Sequence, residues 1–132
     1  MNNQAIQEML ENYDLSEISQ IDYKEDAFVV RFFYDFDDDV IEAAKAYAND
    51  ESKDEEYGDT WMDEYFLPYL NDYAVDNVGE YIEEIMEELD LEAQFVSYDM
   101  DEEEYNYNEF IAVFFPKNKN FDIEQILENL EL

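Results

Sequence analysis

Cysteine and histidine are both absent, and only 2 Gly, 2 Pro and 6 Lys+Arg occur among 132 residues. Without cysteine there is no disulfide frame, no thiolate nucleophile and no thiolate metal site. Without histidine the usual near-neutral acid–base group and the usual zinc ligand are missing. So few glycines and prolines leave little room for linkers, and no Gly-rich phosphate loop is present. No run approaches the roughly 20 apolar residues that span a bilayer. Met1-Asn2-Asn3-Gln4 has neither the basic start nor the apolar run of a signal peptide, so a soluble, cytoplasmic protein is expected.

What the chain does carry is acid: 39 Asp+Glu, for a net charge of -33. It also carries 47% apolar residues, with 12 Tyr and 10 Phe, enough to build one core in spite of the charge. A single domain over residues 1–132 is expected. Scaling area with mass predicts a surface of roughly 7,000 Å², or about one net charge per 200 Å². Duplex DNA carries about one per 100 Å² on a cylinder of roughly 10 Å radius. Carboxylates gathered on one face would therefore match its density. Such a surface repels nucleic acid and anionic membrane and steers basic partners toward it.

The chain is organised around Ala27-Phe28-Val29-Val30-Arg31-Phe32-Phe33-Tyr34-Asp35-Phe36, a β-branched and aromatic run that reads as a strand. Phe28, Val30, Phe32, Tyr34 and Phe36 share an apolar face; Val29, Arg31, Phe33 and Asp35 share a mixed one. Ahead of it, residues 4–13 have the apolar spacing of a helix through Ile6, Met9, Leu10 and Tyr13. Ile18 to Tyr23 is a short strand, joined to the central one by the turn Lys24-Glu25-Asp26. Asp37-Asp38-Asp39 caps a helix carrying Val40, Ile41, Ala44, Tyr47 and Ala48.

A polar loop over 49–59 precedes Thr60-Trp61-Met62-Asp63, which is patterned like a capping box, with Asp replacing the usual Glu. It opens an aromatic segment through Leu70 that Pro68 should kink or end. A further helix is predicted from Asn77 to Leu89, with Val78, Tyr81, Ile82, Ile85, Met86 and Leu89 inward. Leu91 to Tyr98 and Asn108 to Pro116 are strands flanking an acidic loop, Asp99 to Asn106. Asp122 caps a last helix with Ile123, Ile126, Leu127 and Leu130 inward.

Ile6–Leu15 aligns without gaps on Ile82–Leu91, and Phe28–Phe33 aligns on Phe110–Phe115. The expected fold is therefore α+β: one four-stranded antiparallel sheet from a duplicated α-β-β-α unit, with helices packed on it. The halves are 1–48 and 77–132, and residues 49–76 are an acidic, aromatic insertion between them.

None of the acidic patterns carries a catalytic or metal signature. Asp35, Asp37 and Asp39 match the opening of a calcium loop, but Val40 stands where glycine is needed and Ala46 where glutamate is needed. Asp22-Tyr23-Lys24 has the local look of a metal nuclease, whose polyanionic substrate this charge would repel. With 39 acids, any glycosidase-like pair can be drawn, so none is informative. No cofactor is expected.

The outer face of the helix over 77–89 holds Glu80, Glu83, Glu84, Glu87 and Glu88 with no basic neighbour. Like charges spaced i,i+4 cost a few tenths of a kcal/mol each, so the fold tolerates this face without needing it. Those glutamates, with Asp99, Asp101, Glu102, Glu103, Glu104 and Tyr105, form the expected partner-binding face. The function this points to is non-catalytic: binding, and inhibiting, a basic nucleic-acid-binding protein by imitating DNA charge. The alternative is a small interaction or immunity-type module that recognises its partner through the aromatic stretch 57–75, at Trp61 or Tyr65. A carboxylate enzyme using a divalent ion is the third reading.

Overall fold

The computed structural model describes residues 1–13, 15–24, 26–53 and 55–132. In order, the elements are α1 (Asn3–Glu11), β1 (Leu15–Ile21), β2 (Phe28–Asp35), α2 (Asp38–Glu51) and a π-helical segment (Trp61–Phe66). They continue with α3 (Leu67–Leu89), β3 (Leu91–Ser97), β4 (Tyr107–Pro116) and α4 (Ile123–Leu130). All strand pairs are antiparallel and the order across the sheet is β1-β2-β4-β3, which puts the two most apolar strands in the middle. That is the α+β class with the four-stranded antiparallel sheet read from the sequence.

Alternation along β2 and β4 divides the core in two. Phe28, Val30, Phe32 and Tyr34 share one face with Phe110, Ala112 and Phe114; α1, α2, the π-helical segment and α3 cover it. Phe32 stacks on Phe110 with ring centroids 5.7 Å apart, across their register pair. On the other face Val29, Ile111, Val113 and Phe115 lie beneath Ile123 and Ile126 of α4. Each large side chain so buried stabilises the fold by about 1.5–3 kcal/mol. Gln94 holds α4 in place: its Nε2 donates to Phe121 O and its Oε1 accepts from Ile123 N, both at 2.8 Å.

The structure departs from expectation at five places, each for a local reason. β1 begins at Leu15 rather than Ile18, because a register shift between Ser16 and Ser19, with Glu17 at φ 49°, interrupts the alternation. The turn read at Lys24-Glu25-Asp26 falls partly on residue 25, outside the described residues. Asp37 holds the N-cap position without a side-chain cap bond, while Asp38 and Asp39 occupy the first turn, so the dipole carries that effect. Asp122, in contrast, caps α4 by accepting from Glu124 N at 3.0 Å.

Thr60 is no cap, since it is already helical (φ -66°, ψ -43°), whereas an N-cap side chain needs an extended backbone. Helical structure starts at Asp59, and Gly58 O accepts from Met62 N at 2.8 Å. Nor does Pro68 end the helix. Leu67 N donates five residues back to Met62 O, and Pro68 follows in the first turn of α3. The widened turn carries the chain past a residue that has no N–H to give.

Asn77 does not start a helix either. Its Nδ2 donates to Tyr73 O at 2.8 Å, the i−4 back-bond of a residue inside a helix. α3 therefore runs unbroken across the boundary drawn at residue 76, and the segment 49–76 contributes the end of α2, the π-helical segment and the start of α3.

Candidate functional site

Glu80, Glu83, Glu84, Glu87 and Glu88 are all exposed on α3. Its buried side, Leu70, Ala74, Val78, Ile82 and Ile85, faces the sheet. At 3.6 residues per turn, Glu80, Glu83 and Glu87 line up along the outermost ridge. Glu84 and Glu88 sit about a quarter-turn aside, toward α1, where Tyr13 stacks on Tyr81 with centroids 4.2 Å apart. Because α3 starts ten residues earlier than the sequence predicts, exposed Asp72 and Asp76 join the same ridge. The i,i+4 series from residue 72 to 76 to 80 carries that signal; reading Asn77 as a helix start hides it.

From Asp72 to Glu88 seven acids and no base occupy about 24 Å of axis, or about one charge every 4 Å. One DNA strand carries a charge every 3.4 Å of rise. Over the whole molecule, 33 net charges on 7987 Å² average about one per 240 Å², so α3 is a local concentration.

Five of the six cations have their contacts elsewhere. Among the described residues the ion pairs are Arg31 with Glu109, Lys117 with Asp90 (2.8 Å) and Lys119 with Asp26 (3.4 Å). Lys24 lies by the Tyr23 ring and Lys45 by the Tyr57 ring. None of these reaches the ridge. Asp90–Lys117 lies just beyond its C-terminal end and, being exposed, contributes little to stability.

The acidic loop is at the other end of α3. β3 runs back along the helix from Leu91 to Ser97, whose Oγ accepts from Asn71 Nδ2 at 3.3 Å. A surface groove of about 330 Å³ there is shared by Leu67, Asn71, Asp72, Tyr98 and Asp99. From residue 71, Glu88 lies about 25 Å further along the helix. The expected face is thus a line with the loop at one end, not a compact patch.

Within the loop, Asp101 is committed to the loop itself: Oδ1 accepts from Glu103 N at 2.8 Å and O from Glu104 N at 3.2 Å. Glu104 accepts from the Tyr107 hydroxyl at 2.8 Å, which pushes the Tyr107 pKa up. Asp99, Glu102 and Glu103 are exposed, and their side chains have no partner among the described residues. Tyr105 belongs to packing instead: its half-buried ring meets Phe66 edge-on, centroids 4.8 Å apart. Burial, then a hydrogen bond with Tyr57, raises its pKa.

The aromatic stretch separates into two populations. Trp61, Met62 and Phe66 are buried; Trp61 stacks on Phe66 and its Nε1 donates to Asn49 Oδ1 at 2.8 Å. Trp61 therefore cannot touch a partner. Tyr65, Tyr69 and Tyr73, with Tyr47 of α2, instead border a groove of about 500 Å³. Among the described residues no group of three or more carboxylates is placed to hold a metal ion, and no helix is long and apolar enough to cross a membrane. In comparisons with known proteins, no family model, no curated protein and no solved structure matches the chain.

Proposed function

We propose that this is a non-catalytic, cytoplasmic protein that occupies the basic nucleic-acid site of another protein and inhibits it, offering α3 where DNA would lie. The observation that carries this reading is the acidic face of α3 from Asp72 to Glu88: seven exposed carboxylates, none of them ion-paired among the described residues, at a linear charge density close to that of a DNA strand. A rigid helix backed by a buried stripe fixes the backbone beneath those charges, so binding has only side chains to order. The loop Asp99–Glu104 extends the line by Asp99, Glu102 and Glu103. Steering by such a field speeds association, and screening weakens it.

The test is capture of partners from lysate on immobilised protein at low and high salt. A basic nucleic-acid-binding protein retained at low salt, released at high salt and displaced by duplex DNA is the expected result. Retention that is indifferent to salt and DNA sinks the reading. It would favour the second one, an interaction or immunity-type module, which Tyr47 and Tyr73, exposed at the 500 Å³ groove, support.

We also infer that the chain is a duplicated α-β-β-α unit, with halves 1–48 and 77–132 joined by 49–76. Supporting this, the alignment of Phe28–Phe33 on Phe110–Phe115 agrees with the β2–β4 register. Phe28 pairs with Phe114 and Phe32 with Phe110, so a twofold axis would pass through the pair Val30 and Ala112. Sheet order β1-β2-β4-β3 has the same symmetry. The closing helices depart from it, since α2 and α4 lie on opposite faces. Exchanging the two runs, so that Phe28–Phe33 carries the residues of Phe110–Phe115 and the reverse, tests it: the intact chain should keep its far-ultraviolet circular dichroism and cooperative unfolding, and a chain that no longer folds would count against it.

A further inference from the structure

The groove beside the N-terminal half of the acidic ridge has a chemistry that charge alone does not require. Its walls are the rings of Tyr47, Tyr65, Tyr69 and Tyr73. Tyr47 is the hub, 5.3 Å from Tyr69 and 6.1 Å from Tyr65 between centroids, and is 42% exposed; Tyr73 is 38% exposed. Glu64, Asp72 and Asp76 stand on its rim. Asp72 and Asp76 also begin the ridge, so the groove opens directly onto the line of carboxylates.

Aromatic faces carry negative quadrupoles and attract cations, and a guanidinium stacks on them while its N–H groups pair with carboxylates. An ammonium is a compact, strongly hydrated charge that gains less from both. A second copy of this chain is a poor occupant, because each copy carries a net charge of -33 and would bring its own acids to the same rim. We propose that the Tyr47–Tyr65–Tyr69–Tyr73 groove is an anchor site for an arginine side chain of the basic partner, lying on the tyrosine faces with Asp72 or Asp76 as its counter-ion. This rests on the acidic-ridge reading and adds a point of recognition to it: the ridge takes any cation, the groove prefers arginine.

Fluorescence anisotropy with labelled octa-arginine and octa-lysine, at matched charge and fixed salt, tests it on the intact chain. Wild type should bind the arginine peptide more tightly by about three- to fivefold beyond what Tyr47→Leu retains, since an exposed cation–π contact is worth about that factor. Tyr47→Phe should keep the preference. Tyr47→Leu should bind octa-lysine as wild type does and keep the wild-type far-ultraviolet circular dichroism, which shows that the variant is folded. Triple Glu80→Gln, Glu83→Gln and Glu87→Gln should weaken both peptides and leave their ratio unchanged. If Tyr47→Leu keeps the wild-type ratio, the anchor is refuted and the ridge stands. If neither peptide binds at low salt, both fall. A dimer in sedimentation that Tyr47→Leu dissolves would assign the groove to a second copy and overturn the proposal.

Discussion

The side-chain amide of Asn77 donates to the Tyr73 carbonyl 2.8 Å away, one turn back along α3. That bond lets a polar residue sit inside a 23-residue helix, and it keeps Asp72 and Asp76 in phase with Glu80, Glu83 and Glu87. The length of the acidic ridge, and hence its likeness to a nucleic-acid strand, depends on this continuity.

Neutralising the ridge should move binding and stability in opposite directions. In the variant Glu80→Gln, Glu83→Gln, Glu87→Gln, affinity for a basic partner should fall about tenfold or more at low salt, at up to about 1 kcal/mol per charge. Relief of i,i+3 and i,i+4 repulsion, at about 0.2–0.5 kcal/mol per pair, should make the protein more stable by about 1 kcal/mol. Both differences should shrink as salt screens the charges. Titration and urea denaturation at 50 and 500 mM salt check this. A variant that is less stable would show that the fold needs these acids.

Legibility in the sequence followed burial. β2 and β4 were readable because a strand covered on both faces must be apolar throughout, and Phe28 to Phe33 and Phe110 to Phe115 are nearly so. The glutamates of α3 were readable as a surface because the stripe Val78, Ile82, Ile85 fixes the opposite side. Thr60, Pro68 and Asn77 misled because each is a common boundary residue whose role was settled by bonds several residues away. The placement of α4 was not readable, since periodicity tells which side of a helix turns inward but not which sheet face it meets. Gln94, 29 residues from Ile123, decides that. The tyrosine groove was half-legible: the aromatic stretch 57–75 contains Tyr65, Tyr69 and Tyr73, but Tyr47 joins them only through the packing of α2 on the π-helical segment and α3.

Gly79→Ala should stabilise the protein. Gly79 lies inside α3 at ordinary negative φ, and a Cβ there would meet Phe95 Cζ at 3.8 Å, an ordinary contact. Alanine removes unfolded-chain entropy and improves helix propensity, worth about 0.5–1 kcal/mol. The melting temperature should rise by about two to four degrees, as scanning calorimetry would show. A fall would mean that α3 and β3 are packed too closely for even a methyl group.

Asn49→Ala should cost about 1–3 kcal/mol although Asn49 is itself exposed, because it strands the Nε1 donor of fully buried Trp61. Asn49→Asp, which keeps the acceptor, should recover most of that loss. Trp61 is the single tryptophan, so its emission reports directly on the site. It should be blue-shifted in the native protein and unchanged when a basic partner binds the ridge. A red shift on partner binding would mean that the π-helical segment opens.

Stability should be flat between about pH 8 and pH 9 and fall above pH 10. Burial, first among the causes, raises the pKa of Tyr13, Tyr98 and Tyr105, and the neighbouring Glu84 adds to it at Tyr13. The unfolded chain releases those protons near the ordinary tyrosine value of about 10. Above it the folded state still holds protons that the unfolded state has lost, so stability decreases as pH rises through that window. Asp90 raises the pKa of Lys117, with the same sign. Urea midpoints at pH 8.5, 9.5 and 10.5 should therefore descend only over the last step, while absorbance at 295 nm shows some tyrosines ionising late. Tyr13→Phe should make the descent shallower. A midpoint that holds steady to pH 10.5 would mean that Tyr13, Tyr98 and Tyr105 titrate alike in both states, and that their rings lie in water.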